Sequence, residues 1–209
     1  MQPKVSVCMT TYNEEELVIK ALDSIPLRDD IEIVLVEDCS TDNTYKNILN
    51  YISTHKERNI KLFHHETNIG YGYGTKECYD NASGEWIVEL GSDDYFLTEE
   101  FSKFIDEQLD SNYDLVYFDL INNDGRIYNS SQRFKWDGAV KFIKRSWLGE
   151  LRAAPNRYGW DIELSRKMWS LNPKAKFTGI ILTHWNFPKQ NSLSWQRIHG
   201  KINSIGERV

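Results

Sequence analysis

The sequence predicts a single α/β domain whose mostly parallel sheet carries helices on both faces. Three observations lead there. Short apolar, β-branched runs alternate with segments of helical periodicity, the connections between them are short, and 209 residues suffice for one sizeable core. Strands separated by helices pair in parallel through right-handed crossovers. The composition, 40% hydrophobic and 27% charged, is that of a globular chain.

Residues 5–9 (VSVCM) read as the first strand. A helix over residues 14–25 follows, with Leu17, Val18, Ala21, Leu22 and Ile25 at helical spacing and Pro26 ending it. Glu14, Glu15 and Glu16 fall in its first turn, where they complement the helix dipole. The second strand, residues 31–36 (IEIVLV), stops at Glu37-Asp38, and a helix from Thr44 to about His55 comes next. Residues 60–64 (IKLFH) form the third strand.

Residues 67–74 (TNIGYGYG) make a glycine-rich turn leading into a helix that reaches about Ser83. Its glycines permit left-handed backbone and close approach, but the spacing matches neither GxxxxGK[ST] nor GxGxxG. Residues 85–90 (EWIVEL) are the fourth strand, ending in Gly91-Ser92-Asp93-Asp94-Tyr95. Beyond it lie a helix over residues 101–109 and a strand over residues 114–121. Asn122-Asn123-Asp124-Gly125 then forms a hairpin into residues 126–128. Residues 133–155 mix Lys, Arg and Trp without clean periodicity and predict a loop and a helix. A further helix opens at Tyr158 and ends near Leu171, and residues 177–185 form the last strand.

Charge divides the chain. Residues 1–125 carry 9 Lys and Arg against 26 Asp and Glu, a net −17, while residues 126–209 carry 16 against 5, a net +11, together the chain's −6. A basic second half suits an anionic partner or attraction between the two halves. Cys8, Cys39 and Cys78 are odd in number and show no CxxC spacing, which fits a reducing compartment and neither a disulfide framework nor a zinc site. With no charged-then-apolar leader and no apolar run of about 18 residues, the chain reads as soluble and cytoplasmic, without a transmembrane segment.

The chemistry concentrates where strands end. Loops leaving the carboxyl ends of parallel strands line the ligand crevice of open α/β sheets. Two of those ends carry paired acids, Glu37-Asp38 and Asp93-Asp94. Adjacent carboxylates with nothing basic beside them repel, and a divalent cation relieves the repulsion. Hard oxygen ligands favour Mg²⁺ or Mn²⁺, and magnesium commonly sits between carboxylates and substrate phosphates. The sequence alone thus points to a metal–diphosphate site.

These residues resemble the family 2 glycosyltransferases of GT-A (Rossmann-like) fold, which use nucleotide-diphospho-sugars. VSVCMTTYNEEE is similar to that family's opening strand and turn, and IVLVEDCSTDNT to its base- and ribose-contacting segment. NIGYGYGTKECYDNASGEWIVELGSDDYF resembles the stretch leading into its DxD metal motif. The resemblance implies that residues 1–125 are the nucleotide-sugar-binding half, and residues 126–209 the acceptor-binding half, of one GT-A domain.

It also implies roles. Thr10 and Tyr12 would line the base pocket, and Asp38, beside Glu37, would bond the uracil or ribose of a UDP-sugar. Gly70 would let the turn approach the donor. Asp93 would hold Mn²⁺ or Mg²⁺ with Asp94 beside it, and His184 would be a late metal ligand. Lys189 would neutralise the diphosphate. Asp161 would be the base of an inverting transfer, with Glu163 in reserve. The first DxD acid is Gly91 here, and the family's Ala-Arg-Asn reads Gly74-Thr75-Lys76, where Lys76, one position along, would supply a cation in place of the absent Arg. The implied acceptor is a glycan hydroxyl. The basic half leaves room for a hydroxylated nucleic-acid base or contact with anionic lipid, and Gly91 for a catalytically dead nucleotide-sugar-binding module.

Overall fold

The computed structural model describes residues 2–132, 138–149 and 160–187. Nine strands form one sheet: β1 (Val5–Thr11), β2 (Ile31–Glu37), β3 (Ile60–His64), β4 (Trp86–Glu89), β5 (Tyr95–Phe96), β6 (Leu115–Asn122), β7 (Ile127–Tyr128), β8 (Lys141–Lys144) and β9 (Ala175–Trp185). Around it lie α1 (Val18–Ser24), α2 (Thr44–Thr54), α3 (Tyr71–Asn81), α4 (Thr98–Glu107), α5 (Arg145–Leu148) and α6 (Trp160–Ser170). Among the described residues no helix is long and apolar enough to cross a membrane.

The strand order is β3-β2-β1-β4-β8-β6-β9-β5, with β7 beside β6. Pairings among β1 to β4 are all parallel, as the crossovers predict. Beyond β4 the sheet is mixed: β8 runs antiparallel to both β4 and β6, β9 parallel to β6, and β5 antiparallel to β9. Strands β4 and β5 are neighbours in the chain yet far apart in the order, so the sheet curls back on itself. The chain after residue 125 supplies β8 and β9, which are inserted among strands of the first half.

Alternation along each strand sends side chains to two cores. Val5, Val7, Met9, Trp86, Val88 and Phe142 pack with α1, α2 and α4. Cys8, Val34, Val36, Ile87, Tyr117 and Ile143 pack with α3, α5 and α6. Helices therefore cover both faces, which is why β2 is buried throughout and reads as an apolar run interrupted only by Glu32 before Glu37.

Two local expectations change. The first helix starts at Val18, because residues 14–17 form a turn with Glu14 O accepting from Leu17 N and Val18 N. Glu15 instead serves the neighbouring helix, its Oε2 accepting from Asn43 N at 2.8 Å where α2 begins. The residues after Gly70 are helix instead of turn, for α3 contains Gly72 and Gly74. A Cβ on Gly74 would lie 2.5 Å from Thr10 Cγ2 and 3.3 Å from Val36 Cγ1, so this glycine lets α3 lie directly on β1 and β2. Strands β5 and β8 lie outside the elements that the sequence predicts.

Candidate active site

The loops after β1 and β2 are laced together. Asn13 N donates to Ser40 Oγ at 2.9 Å, Thr41 N to Asn13 Oδ1 at 2.8 Å, and Glu14 N to Thr44 Oγ1 at 2.7 Å. This frame leaves the Tyr12 ring 45% exposed just past the end of β1. Thr10 turns inward to α3, its hydroxyl 3.3 Å from Thr75 Oγ1.

Glu37 and Asp38, which the sequence leaves with nothing basic beside them, each gain a histidine neighbour in the fold. Parallel pairing with β2 brings His64 opposite Glu37. His64 Nδ1 lies 2.6 Å from Glu37 Oε2 with its ring stacked on Tyr45, and Glu37 also accepts from Ser40 N at 2.7 Å. Asp38, only 1% exposed, accepts from Gly70 N at 2.8 Å, Ile69 N at 2.9 Å and His65 Nδ1 at 3.0 Å. His65 reaches on to Glu77 Oε2 at 2.6 Å. Partial burial opposes its charge, but the bonds to Asp38 and Glu77 prevail and hold His65 above the ordinary histidine value. Asp38 thus fastens the Gly70 turn, where φ is 97°, to the end of β2.

The acidic turn after β4 is tightly wound. Asp94 N donates to Gly91 O at 3.0 Å, and Asp94 Oδ1 accepts from Asn186 N at 2.8 Å, just past β9. Asp94 Oδ2 and Asp93 Oδ1 both close over Gly91: a Cβ there would lie 2.7 Å from the first and 3.2 Å from the second. The space where a first DxD side chain would begin is therefore filled by Asp94 itself.

His184 does not join these acids. Its ring stacks on Tyr95 with centroids 4.5 Å apart, and Lys20 Nζ sits 3.6 Å from the Tyr95 centroid. Burial, then Lys20, holds His184 below the ordinary histidine value. Among the described residues no three His, Cys, Asp or Glu side chains gather as a metal-holding group, so Asp93, Asp94 and His184 are not one ligand set. Lys76 is ion-paired to Asp80 one helical turn along, beside a cleft of about 140 Å³ shared with Arg145 and Leu164. Lys189 lies outside the described residues.

Sequence reasoning missed Glu89, the last residue of β4. It is 4% exposed and accepts from Tyr71 OH at 2.9 Å and from Tyr79 OH, both on α3. Burial pushes its carboxyl up to about 7, against the Tyr79 bond, the Lys141 charge and the Tyr71 bond, and with the help of the nearby Asp161 charge. Lys141, first in β8, is itself 1% exposed. The available signal was an acid set between Val88 and Leu90 in an apolar run. Asp161 stands half-buried in the first turn of α6, whereas Glu163 is exposed.

Poly(ribitol-phosphate) beta-N-acetylglucosaminyltransferase TarS of Staphylococcus aureus is 35% identical over 112 residues, covering 50% of this chain and 19% of that protein. A crystal structure of S. aureus TarS 1-349 in complex with UDP-GlcNAc superposes with a TM-score of 0.74 at 22% identity, covering 91% of this chain and 60% of that one. A mannosyltransferase from Pyrobaculum calidifontis in complex with GDP-Man and Mn²⁺ gives 0.76 at 22% identity, covering 96% and 62%. At that identity the structural likeness is one of fold, the GT-A glycosyltransferase fold. The chain spans about a fifth of the curated relative and three fifths of the solved chains. The family model described as Glycosyl transferase family 2 matches residues 6–172, most of the sheet and both acidic strand ends, and on that match the chain belongs to glycosyl transferase family 2.

Proposed function

We propose that the chain transfers a sugar from a UDP-sugar to an acceptor hydroxyl with inversion at the anomeric carbon. One observation supports the reading: in a chain whose family match runs over residues 6–172, Asp93 Oδ1 and Asp94 Oδ2 converge beside Gly91 just past the carboxyl end of β4. The exposed Tyr12 ring would stack on the base.

The acceptor oxygen attacks the anomeric carbon as the bond to the diphosphate breaks, and its electron pair leaves with UDP. Asp161 takes the hydroxyl proton from the face opposite the leaving group. Asp93 and Asp94 fit a hard cation. Their oxygens converge beside Gly91, and two carboxylates leave the remaining positions to phosphate and water. A bound Mn²⁺ or Mg²⁺ would neutralise charge growing on the departing diphosphate. The basic second half suits an anionic glycan or polyol phosphate, in keeping with the poly(ribitol-phosphate) in the relative's name.

The test is a thermal-shift panel of nucleotide-sugars with and without Mn²⁺, followed by UDP release from UDP-GlcNAc. UDP-GlcNAc with Mn²⁺ should raise the melting temperature, since saturation at 100 times Kd adds about 2.7 kcal/mol. Asp161→Asn should bind as before and release no UDP, while the exposed Glu163→Gln keeps release. Full UDP release by Asp161→Asn overturns the assignment of the base. Binding without release in the unmodified chain would make it a binding module.

A further inference from the structure

The hairpin after β6 and the segment after β9 meet on the edge of the sheet that carries the acidic turn. Two successive antiparallel pairings, β4 with β8 and β8 with β6, return β6 to the direction of β4, and β9 runs parallel to β6. The carboxyl ends of β6 and β9 therefore lie on the edge where β4 delivers Asp93 and Asp94, the edge at which open α/β sheets bind ligands. Alternation along β9 sends His184 to the Tyr95 side and Trp185 to the other, where its ring meets Tyr128 edge-on with centroids 5.2 Å apart. Phe187 N donates to Trp185 O at 2.8 Å, an i→i+2 turn that lays the Phe187 ring on the indole, centroids 4.3 Å apart and planes 10° from parallel. Asn123 of the hairpin clamps this turn, its N donating to Phe187 O at 3.2 Å and its Nδ2 to Asn186 Oδ1 at 2.8 Å. Asn186, between the two rings in sequence, gives its own N–H to Asp94 Oδ1. The three rings stay only partly buried.

We propose that the stacked Trp185–Phe187 pair, edged by Tyr128, is the platform that holds the acceptor, and that the acceptor lays the face of a pyranose ring on it. The inference rests on the transferase reading above and narrows its acceptor. Aromatic faces carry partial negative charge and attract polarised hydrogens. A pyranose offers a flat face of such C–H groups with its hydroxyls around the rim, whereas an open-chain polyol phosphate has no such face. The side-chain amides of Asn123 and Asn186 share one bond, so each keeps hydrogen-bonding capacity for those hydroxyls. Aromatic surface with a few fixed polar groups is the ordinary chemistry of a small-molecule site. Bonds to the hairpin and to Asp94 fix the platform in advance, which lowers the ordering cost of binding. Because the residue between the rings bonds Asp94, a sugar stacked there lies next to the turn proposed to seat the cation. The surface thus selects a pyranose-bearing glycan over a polyol phosphate.

The experiment follows indole N–H signals by NMR in the nitrogen-labelled chain with UDP and Mg²⁺ present. Trp185 is identified by the signal missing from Trp185→Phe or, should that variant fail to fold, by the signal displaced most in Phe187→Leu. Methyl β-glucopyranoside and methyl N-acetyl-β-glucosaminide should move this signal saturably, and ribitol phosphate should not. Phe187→Leu keeps apolar bulk without an aromatic face and should weaken pyranoside binding about tenfold, the order of one aromatic contact, while Phe187→Tyr should retain it. Paramagnetic Mn²⁺ in place of Mg²⁺ should broaden both the Trp185 signal and the resonances of the bound pyranoside. A Trp185 signal unmoved by both pyranosides overturns the proposal, as does one moved at least as strongly by ribitol phosphate. Pyranoside binding indifferent to Phe187→Leu overturns it too, and so does Mn²⁺ that broadens other signals of the chain but not Trp185. Pyranoside binding intact in a chain that neither holds Mn²⁺ nor releases UDP from UDP-GlcNAc would instead remove the transferase reading, a separate result.

Discussion

Gly91 offers the sharpest trial of the acidic turn. By motif alone, Gly91→Asp would restore the missing acid of DxD and tighten metal binding. The structure predicts the opposite, because the first atom of any side chain there would sit 2.7 Å from Asp94 Oδ2. Ordinary contact begins at 3.4 Å, so that oxygen must retreat by about 0.7 Å. Metal–oxygen bonds tolerate roughly 0.2 Å, and disturbing groups around a metal typically costs about 10- to 100-fold in affinity. The carboxylate also accepts from Asn186 N, a charge-assisted bond contributing about 1.5–3 kcal/mol, part of which is lost if Asp94 rotates away. Gly91→Ala isolates the steric effect from the added charge. Mn²⁺ binding followed by electron paramagnetic resonance, with UDP present, should weaken by at least about tenfold in both variants. Tighter Mn²⁺ binding by Gly91→Asp would refute the reasoning, since the space beside Gly91 would then have to be open.

Two further outcomes follow from the packing and the charges. Gly74→Ala should gain about 1 kcal/mol of helix propensity yet lose about 1–3 kcal/mol to overpacking against Thr10, so its melting temperature should fall. Pairing it with Thr10→Ser, which removes the colliding methyl, should recover most of the loss. His65 is held above its unfolded value, so its contribution to stability is full below about 6.5 and fades as pH rises through the higher folded value. His65→Gln should flatten melting temperature against pH in that window, and an unchanged slope would place the dependence elsewhere.

Strands β1, β2 and β4 were legible because burial on both faces writes itself as apolar runs that end in turn formers, and β3, a half-buried edge strand, was legible from its short run IKLFH between turn segments. What lay hidden depended on register. Nothing in IKLFHH announces that His64 and His65 will stand opposite Glu37 and Asp38. That follows only from the parallel pairing of β2 with β3, and it turns two bare carboxylates into tied ones. Strand β8 escaped because KFIK opens with a lysine whose burial is intelligible only beside Glu89. Strand β5 is two residues long, too short to leave a pattern. Glu89 and Glu32 share one overlooked sign, an acid inside an apolar run. Glu32, at the opposite end of β2, is bonded to Ser6 and Ser83 and paired with Lys61, a purely architectural use of the same device.

The docking of β5 on β9 bears on how a growing chain reaches competence. Asn186, whose N–H steadies Asp94, leaves the ribosome 92 residues after it. The parallel strands β1 to β4 can collapse with their helices well before that, while the acidic turn still hangs slack. Only when β9 threads in beside β6 and meets β5 does the turn acquire its far wall. A nascent polypeptide of this sequence would thus acquire a compact body first and a fully braced acidic turn last.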